Sequence, residues 1–123
     1  MKALMSIKPE FVNRIFSGEK KYEFRKRGFS RTIESVVVYS SSPEKCIRGE
    51  FRVSAIRKGN PKYIWRQCRR FAGIDRVRFF EYFRDCDIAY AIEIGETLEF
   101  ANPKDLRSEY ACPPPQSYRY IEW

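Results

Sequence analysis

The chain contains no histidine. Without an imidazole it can build no Ser-His-Asp or Cys-His relay, no two-histidine facial triad and no Cys₂His₂ zinc site. Close-set cysteines are missing too: Cys46, Cys68, Cys86 and Cys112 stand 22, 18 and 26 positions apart, so there is no Cys-x-x-Cys metal or redox pair. Neither phosphate-cradling glycine pattern, G-x-G-x-x-G or G-x-x-x-x-G-K-[ST], occurs. No apolar run approaches the ~18 residues of a membrane helix, and the N-terminal stretch, broken by Ser6 and Lys8, has no signal-peptide core. These absences predict no metal, no cofactor and no membrane, and a reducing cytoplasm in which the thiols stay free. Any chemistry must then rest on Lys, Glu, Asp, Tyr, Ser or Cys.

What is present is charge of one sign on a chain rich enough in apolar residues to fold. The 123 residues carry 24 Lys and Arg against 16 Asp and Glu, a net +8, with 43% hydrophobic content. That content is too high for a disordered chain, and the length suits one domain over residues 1–123. A basic surface favours polyanionic partners, because phosphates neutralised by Lys and Arg release their counterions.

Local patterns give an element order. Lys2 to Ile7 reads as a strand, ended by the Lys8-Pro9 step; Pro9 and Glu10 then open a helix with Phe11, Val12, Ile15 and Phe16 on its apolar face and Gly18 as its left-handed stop. Lys20 to Lys26 has period two, which places Glu23 and Arg25 on one side and Tyr22 opposite, with Lys20 at a turn where parity does not bind. Val36 to Tyr39 reads as a doubly buried strand, Ser40 to Glu44 as a loop, and Cys46 to Ile56 as a long strand with a bulge at Gly49. Asn60-Pro61 opens a helix with Ile64, Cys68 and Phe71 inward and Trp65 beside them; after Gly73, Asp75 caps another that points Val77, Phe80 and Phe83 inward. Ile88 to Ile94 and Thr97 to Phe100 read as two strands parted by a Gly95-Glu96 turn, Asn102-Pro103 opens a loop, and Tyr118 to Ile121 is strand-like. Trp123 either frays or docks. The expected architecture is α+β, a small partly closed β-barrel of five to six strands with peripheral helices.

The sharpest cluster runs from Lys20 to Arg31, six cations with a single acid, Glu23, interleaved with Tyr22, Phe24 and Phe29. Cations beside aromatics suit nucleic acid, the first meeting phosphates and the second stacking on unpaired bases. Phe24 is better read as core. Glu23 admits two roles: it orients a lysine or accepts from the amino group of cytosine or adenine, or it forms a cross-strand ion pair worth ~0.2–1 kcal/mol. Lys62, Arg66, Arg69 and Arg70, extended by Arg76 and Arg78, form a second basic stripe that reads as the wet side of amphipathic helices.

Several strings carry a further signal: Ser6-Ile7-Lys8-Pro9-Glu10, the run from Phe16 to Lys26, Val38-Tyr39-Ser40-Ser41-Ser42-Pro43, Gly49-Glu50-Phe51, Ala89-Tyr90-Ala91-Ile92 and Pro115-Gln116-Ser117-Tyr118. Together they resemble the ASCH domain family of the PUA-like superfamily, most specifically in the Gly-x-Lys-x-x-Glu-x-Arg block from Gly18 to Arg25. The resemblance implies a small barrel with a cleft that binds RNA or modified bases; the clustered cations add single-stranded DNA as a candidate partner. Carried over, the cleft residues are Lys20, Glu23 and Arg25 with Tyr39, Ser40 and Ser41, rimmed by Ser6, Lys8, Gln116 and Tyr118; Lys21, Tyr22 and Lys26 belong to the same basic cluster. Some relatives are viewed as transcriptional regulators through a helix-turn-helix, of which no convincing recognition helix occurs here. One branch deacetylates acetylcytidine with a Lys, a Thr and a Glu. Lys20 matches the first, but Glu23 stands at the Thr position, and around Gly73 only Asp75 is acidic. The resemblance therefore favours a nucleic-acid binder, with an amidohydrolase on a modified nucleoside, using Lys20 and Glu23, as the alternative.

Overall fold

Elements form largely where the chain's own signals put them. In the computed structural model, which describes residues 1–122, strand β1 (Lys2–Ile7) leads through Lys8 into α1 (Pro9–Ser17), with Pro9 at the first helical position and Gly18 closing the helix at φ 86°. Then follow β2 (Tyr22–Arg25), β3 (Ser35–Ser40), the long β4 (Cys46–Gly59), α2 (Pro61–Cys68), a 3₁₀ turn (Arg69–Phe71) and α3 (Arg76–Tyr82). The chain continues through β5 (Ala89–Lys104), α4 (Leu106–Tyr110) and β6 (Tyr118–Ile121). Both caps read from sequence are made: Asn60 accepts from the Tyr63 amide and Asp75 from that of Arg78.

The six strands form one sheet in the order β2-β5-β4-β3-β1-β6, antiparallel throughout except for the β1–β3 pair. The sheet curls, and side chains bridge its two edges. Arg25 of β2 donates to Ser117 Oγ (3.1 Å) just before β6, Tyr118 Oη donates to the Gly28 carbonyl (3.1 Å), and the Ser30 amide donates to Tyr120 Oη (2.7 Å). The result is a half-barrel with an open seam. β1 and β3 are inner strands covered on both faces, which is why β3 is buried along its whole length. On one face α1 packs Val12 and Ile15 onto Ala3, Met5, Val36 and Val38; on the other Leu4 and Val37 meet Tyr39, Ile47 and Leu106. The helical hairpin α2–α3 buries Ile64, Cys68, Phe79 and Phe83 against Phe24, Ala89 and Ala91, with Trp65 packed beside them.

Four local readings need correction. β5 runs unbroken through Gly95-Glu96 and Asn102-Pro103, because pairing with β4 from Ile47↔Lys104 to Gly59↔Ala89 holds it extended, with register shifts that absorb the bends. The last of those residues feed α4, which the sequence pattern did not show. Val77 is 78% exposed, while Phe79 (1%) and Phe83 (2%) point inward; the aromatic-rich run admits two helical phases, and the one burying the larger rings wins. Phe71 is turned outward by the 3₁₀ turn, and Ala72 takes the inner place. The bulge foreseen at Gly49 lies beside it: Arg48 is the extra residue between Tyr39↔Ile47 and Val38↔Gly49. Trp123 lies outside the described residues.

Candidate nucleic-acid cleft

The α1–β2 corner turns Lys20 inward. Beyond Gly18, the Lys20 amide donates back to the Arg14 carbonyl (2.9 Å) and the Lys21 amide to that of Phe71 (2.8 Å), which fastens the corner to the helical hairpin. The Lys20 stem then runs under Gly73, whose φ of +64° suits glycine; a Cβ there would stand 2.5 Å from Lys20 Cγ and 2.9 Å from Cδ. The side chain is only 2% exposed. Its Nζ donates to the Ala72 carbonyl (2.7 Å), lies 3.8 Å from Glu23 Oε1, and sits over the rings of Phe24 (4.8 Å) and Phe11 (5.2 Å).

Strand parity then builds the rest. Glu23 and Arg25 share one side of β2, and Arg25 donates to Glu23 Oε2 at 2.8 Å and to the Ser6 carbonyl at 3.1 Å. Lys20, Glu23 and Arg25 thus form a line of alternating charge along the floor of a cleft of about 270 Å³. Ile7, Phe11, Phe24 and Ile74 supply its apolar surface; Ser6, Lys8, Arg78 and Tyr82 complete it. Burial pushes Lys20 down to about 8, against the attraction of Glu23 and with help from the nearby Arg25 and Arg14. The amine is therefore mainly charged at neutral pH yet close enough to titration to exchange a proton. Arg25 Nε is buried without a hydrogen-bond partner among the described residues, a donor that the fold leaves unused.

The remaining sequence candidates separate into groups. Ser6 and Lys8 border the cleft and a neighbouring cavity of about 540 Å³, which also takes Tyr39, Ser41 and Gln116. Lys26 and Tyr118 line a third cavity, of about 530 Å³, which shares Arg25 and Tyr82 with the cleft. Three candidates lie apart. Tyr22 faces the other side, its hydroxyl on Glu93 (3.4 Å); Lys21 lies over the Phe71 ring (4.5 Å); Ser40 is fully buried and donates to Glu44 (2.6 Å). Arg78 and Tyr82 of the cleft wall, and Ala72 and Gly73 against Lys20, are not foreseen from the sequence. Arg78 reads from sequence as helix surface, yet it holds Glu10 at 2.6 and 3.1 Å and brings α3 to the rim beside α1. Lys45 was likewise missed. All four cysteines are free, and burial pushes the Cys68 thiol up to about 11, as befits an unreactive core residue. Among the described residues no helix is long and apolar enough to cross a membrane.

The chain is similar to known proteins along nearly its whole length. A "Large ribosomal subunit protein uL22" of Ureaplasma parvum serovar 3 is 27% identical over 120 residues, covering 97% of this chain but 39% of that protein, so the chain spans about two fifths of that relative. An "ASCH domain-containing ribonuclease" of Zymomonas mobilis is 26% identical over 125 residues, covering 97% of this chain and 83% of that one. The crystal structure of ASCH from Zymomonas mobilis superposes with a TM-score of 0.91 at 27% identity, over 98% of this chain and 87% of that one. A tyrosine-to-phenylalanine mutant of the same protein gives 0.91 at 26%, over 98% and 90%. The family model described as "ASCH domain" matches residues 5–104, and the chain belongs to that family.

Proposed function

We propose that the cleft binds RNA through a nucleotide unstacked from its neighbours. The observation that carries this reading is the buried Lys20–Glu23–Arg25 line at the floor of a small, half-apolar cleft. Ligand pockets commonly run from roughly 300 to 1,000 Å³, so about 270 Å³ suits one base or sugar and not a stack. Glu23 Oε1 stands ready to accept from an exocyclic amine, while Phe11 and Phe24 offer apolar contact to the ring. The ribonuclease name of the Zymomonas relative supports RNA over other polyanions.

The test is anisotropy of a labelled single-stranded RNA across a salt series. Lys20→Met keeps the buried stem and removes the amine; Arg25→Ala removes the guanidinium. Each should weaken binding by about tenfold or more, the cost of a lost charge-assisted bond, with cooperative melting retained. Unchanged affinity in both would sink the reading.

Lys20 favours a second reading, in which the cleft also processes what it binds. An amine at about 8 with a carboxylate 3.8 Å away suits general acid-base work. Two reactions fit: cleavage of the RNA chain, and deacylation of a modified nucleoside such as acetylcytidine by Lys20 and Glu23. Chromatography after incubation with each substrate decides between them. No product from either at high protein concentration leaves a binder, the mode of action of a regulator.

A further inference from the structure

The cleft does not stand alone: two neighbouring cavities are lined by cations with no acidic residue among them. Resting on the RNA-binding reading, we propose that the ligand is a single strand laid over three adjoining subsites, with one base inserted in the middle and a phosphate on either side. The central subsite is the cleft itself. It abuts the Tyr39–Lys45–Gln116 cavity through the shared walls of Ser6 and Lys8, and the Lys26–Arg27–Tyr118 cavity through Arg25 and Tyr82. The two outer cavities have no lining residue in common, each shares two with the cleft, and Gln116 of one adjoins Ser117 of the other.

Charge decides which part of a nucleotide goes where. In the cleft Lys20 and Arg25 are already committed to Glu23, at 3.8 and 2.8 Å. A phosphate placed there would meet a carboxylate whose side chain is 8% exposed, a like-charge contact with little water to screen it. A base bearing an amino group meets the same carboxylate as an acceptor. The outer cavities hold no carboxylate: Lys45 and the shared Lys8 on one side, Lys26 and Arg27 on the other, make no ion pair within 4 Å among the described residues. Their charge is available to phosphates. Tyr118, partly exposed, stands by the second outer cavity as a surface for a flanking base, while the Tyr82 ring carries Lys26 Nζ at 4.9 Å. A base paired inside a duplex cannot reach a floor this buried, so the geometry selects unpaired RNA.

Calorimetric titration with cytidine, the di-, tri- and hexanucleotides of cytidine, the trinucleotide of uridine and a hairpin duplex tests this placement. Affinity should climb from cytidine to the trinucleotide and then level off, with the duplex about tenfold weaker or worse. The trinucleotide holds two phosphates, so its log K against log salt should slope at about −1.4, from 0.7 per phosphate on a single strand. Lys45→Ala and the pair Lys26→Ala with Arg27→Ala should each weaken the trinucleotide and flatten that slope by about 0.7, while cytidine binding stays as it was. Glu23→Gln should reduce the preference for cytidine over uridine. A trinucleotide that binds no better than cytidine, or a duplex that binds as well, overturns the three-subsite strand while leaving the RNA reading in place. Failure of every ligand, cytidine included, overturns both.

Discussion

Replacing Gly73 by alanine adds one methyl group where the stem of Lys20 already lies. The new Cβ would stand 2.5 Å from Lys20 Cγ and 2.9 Å from Cδ, and closer still to its Cβ. These atoms cannot swing aside, because Lys20 is held at both ends: its amide by Arg14 and its Nζ by Ala72. Two costs add. A left-handed backbone at φ +64° costs a non-glycine residue about 1–2 kcal/mol, and overpacking a filled site costs about 1–3 kcal/mol more. Gly18 provides the control, since it shares the positive φ, at +86°, and has nothing within 4 Å of its would-be Cβ. Gly18→Ala should therefore lose only the backbone share. At about 4 °C per kcal/mol for a domain of this size, Gly73→Ala should melt about 8–20 °C below the parent protein and Gly18→Ala about 4–8 °C below it. Circular dichroism melts under one buffer condition give the comparison. Two variants that melt within about 2 °C of each other would refute the argument that Lys20 fills the space under Gly73.

Alkaline pH should stabilise the parent protein relative to Lys20→Met. The unfolded chain keeps its proton up to the ordinary value of 10.5 and the folded chain sheds it at about 8, so between those values the unfolded state binds more protons and stability rises with pH. Below pH 8 both states are protonated and the burial cost is fully present. Urea unfolding of both proteins at pH 7.5 and 10.5 should show their difference shift by about 2–3 kcal/mol in favour of Lys20; a constant difference would mean that the amine is not desolvated in the fold. For α3, Val77→Lys should change stability by no more than about 0.5 kcal/mol, while Phe79→Ala should cost about 3–5 kcal/mol. Comparable losses from the two would reverse the assignment of its inner face.

Signals confined to a few neighbouring residues were legible in the sequence. The Lys8-Pro9 start, the Gly18 stop and the Asn60 and Asp75 caps each depend on backbone geometry within one turn, and each is made as read. Parity along β2 likewise put Glu23 with Arg25 and Tyr22 opposite. Wherever a distant strand decided the outcome, local reading failed: Gly95-Glu96 has the composition of a turn, yet β4 holds both flanks, with Phe51 opposite Thr97 and Val53 opposite Ile94. The site divides in the same way. Lys20 and Glu23 stand out by their charge context, but the depth of Lys20 depends on a carbonyl 52 positions away at Ala72, and no local pattern announces that approach. Gly73 reads as a helix breaker, but α2 already ends at Cys68 and the 3₁₀ turn at Phe71; that the missing side chain of Gly73 makes room for a lysine depends on where the hairpin sits.

The pairing of β1 with β6 joins the first strand of this sheet in chain order to the last, with Lys2 opposite Ile121. At ribosomal speeds of about 5–20 residues per second, roughly 6–24 s separate the synthesis of the two. Throughout that interval the Lys2–Ile7 segment, apolar enough to be buried on both faces later, has an unpaired edge open to any other extended chain. Folding of this domain therefore leaves β1 open to association with other extended chains until β6 has been made, and whatever shelters the nascent domain has to act on β1 for that whole interval.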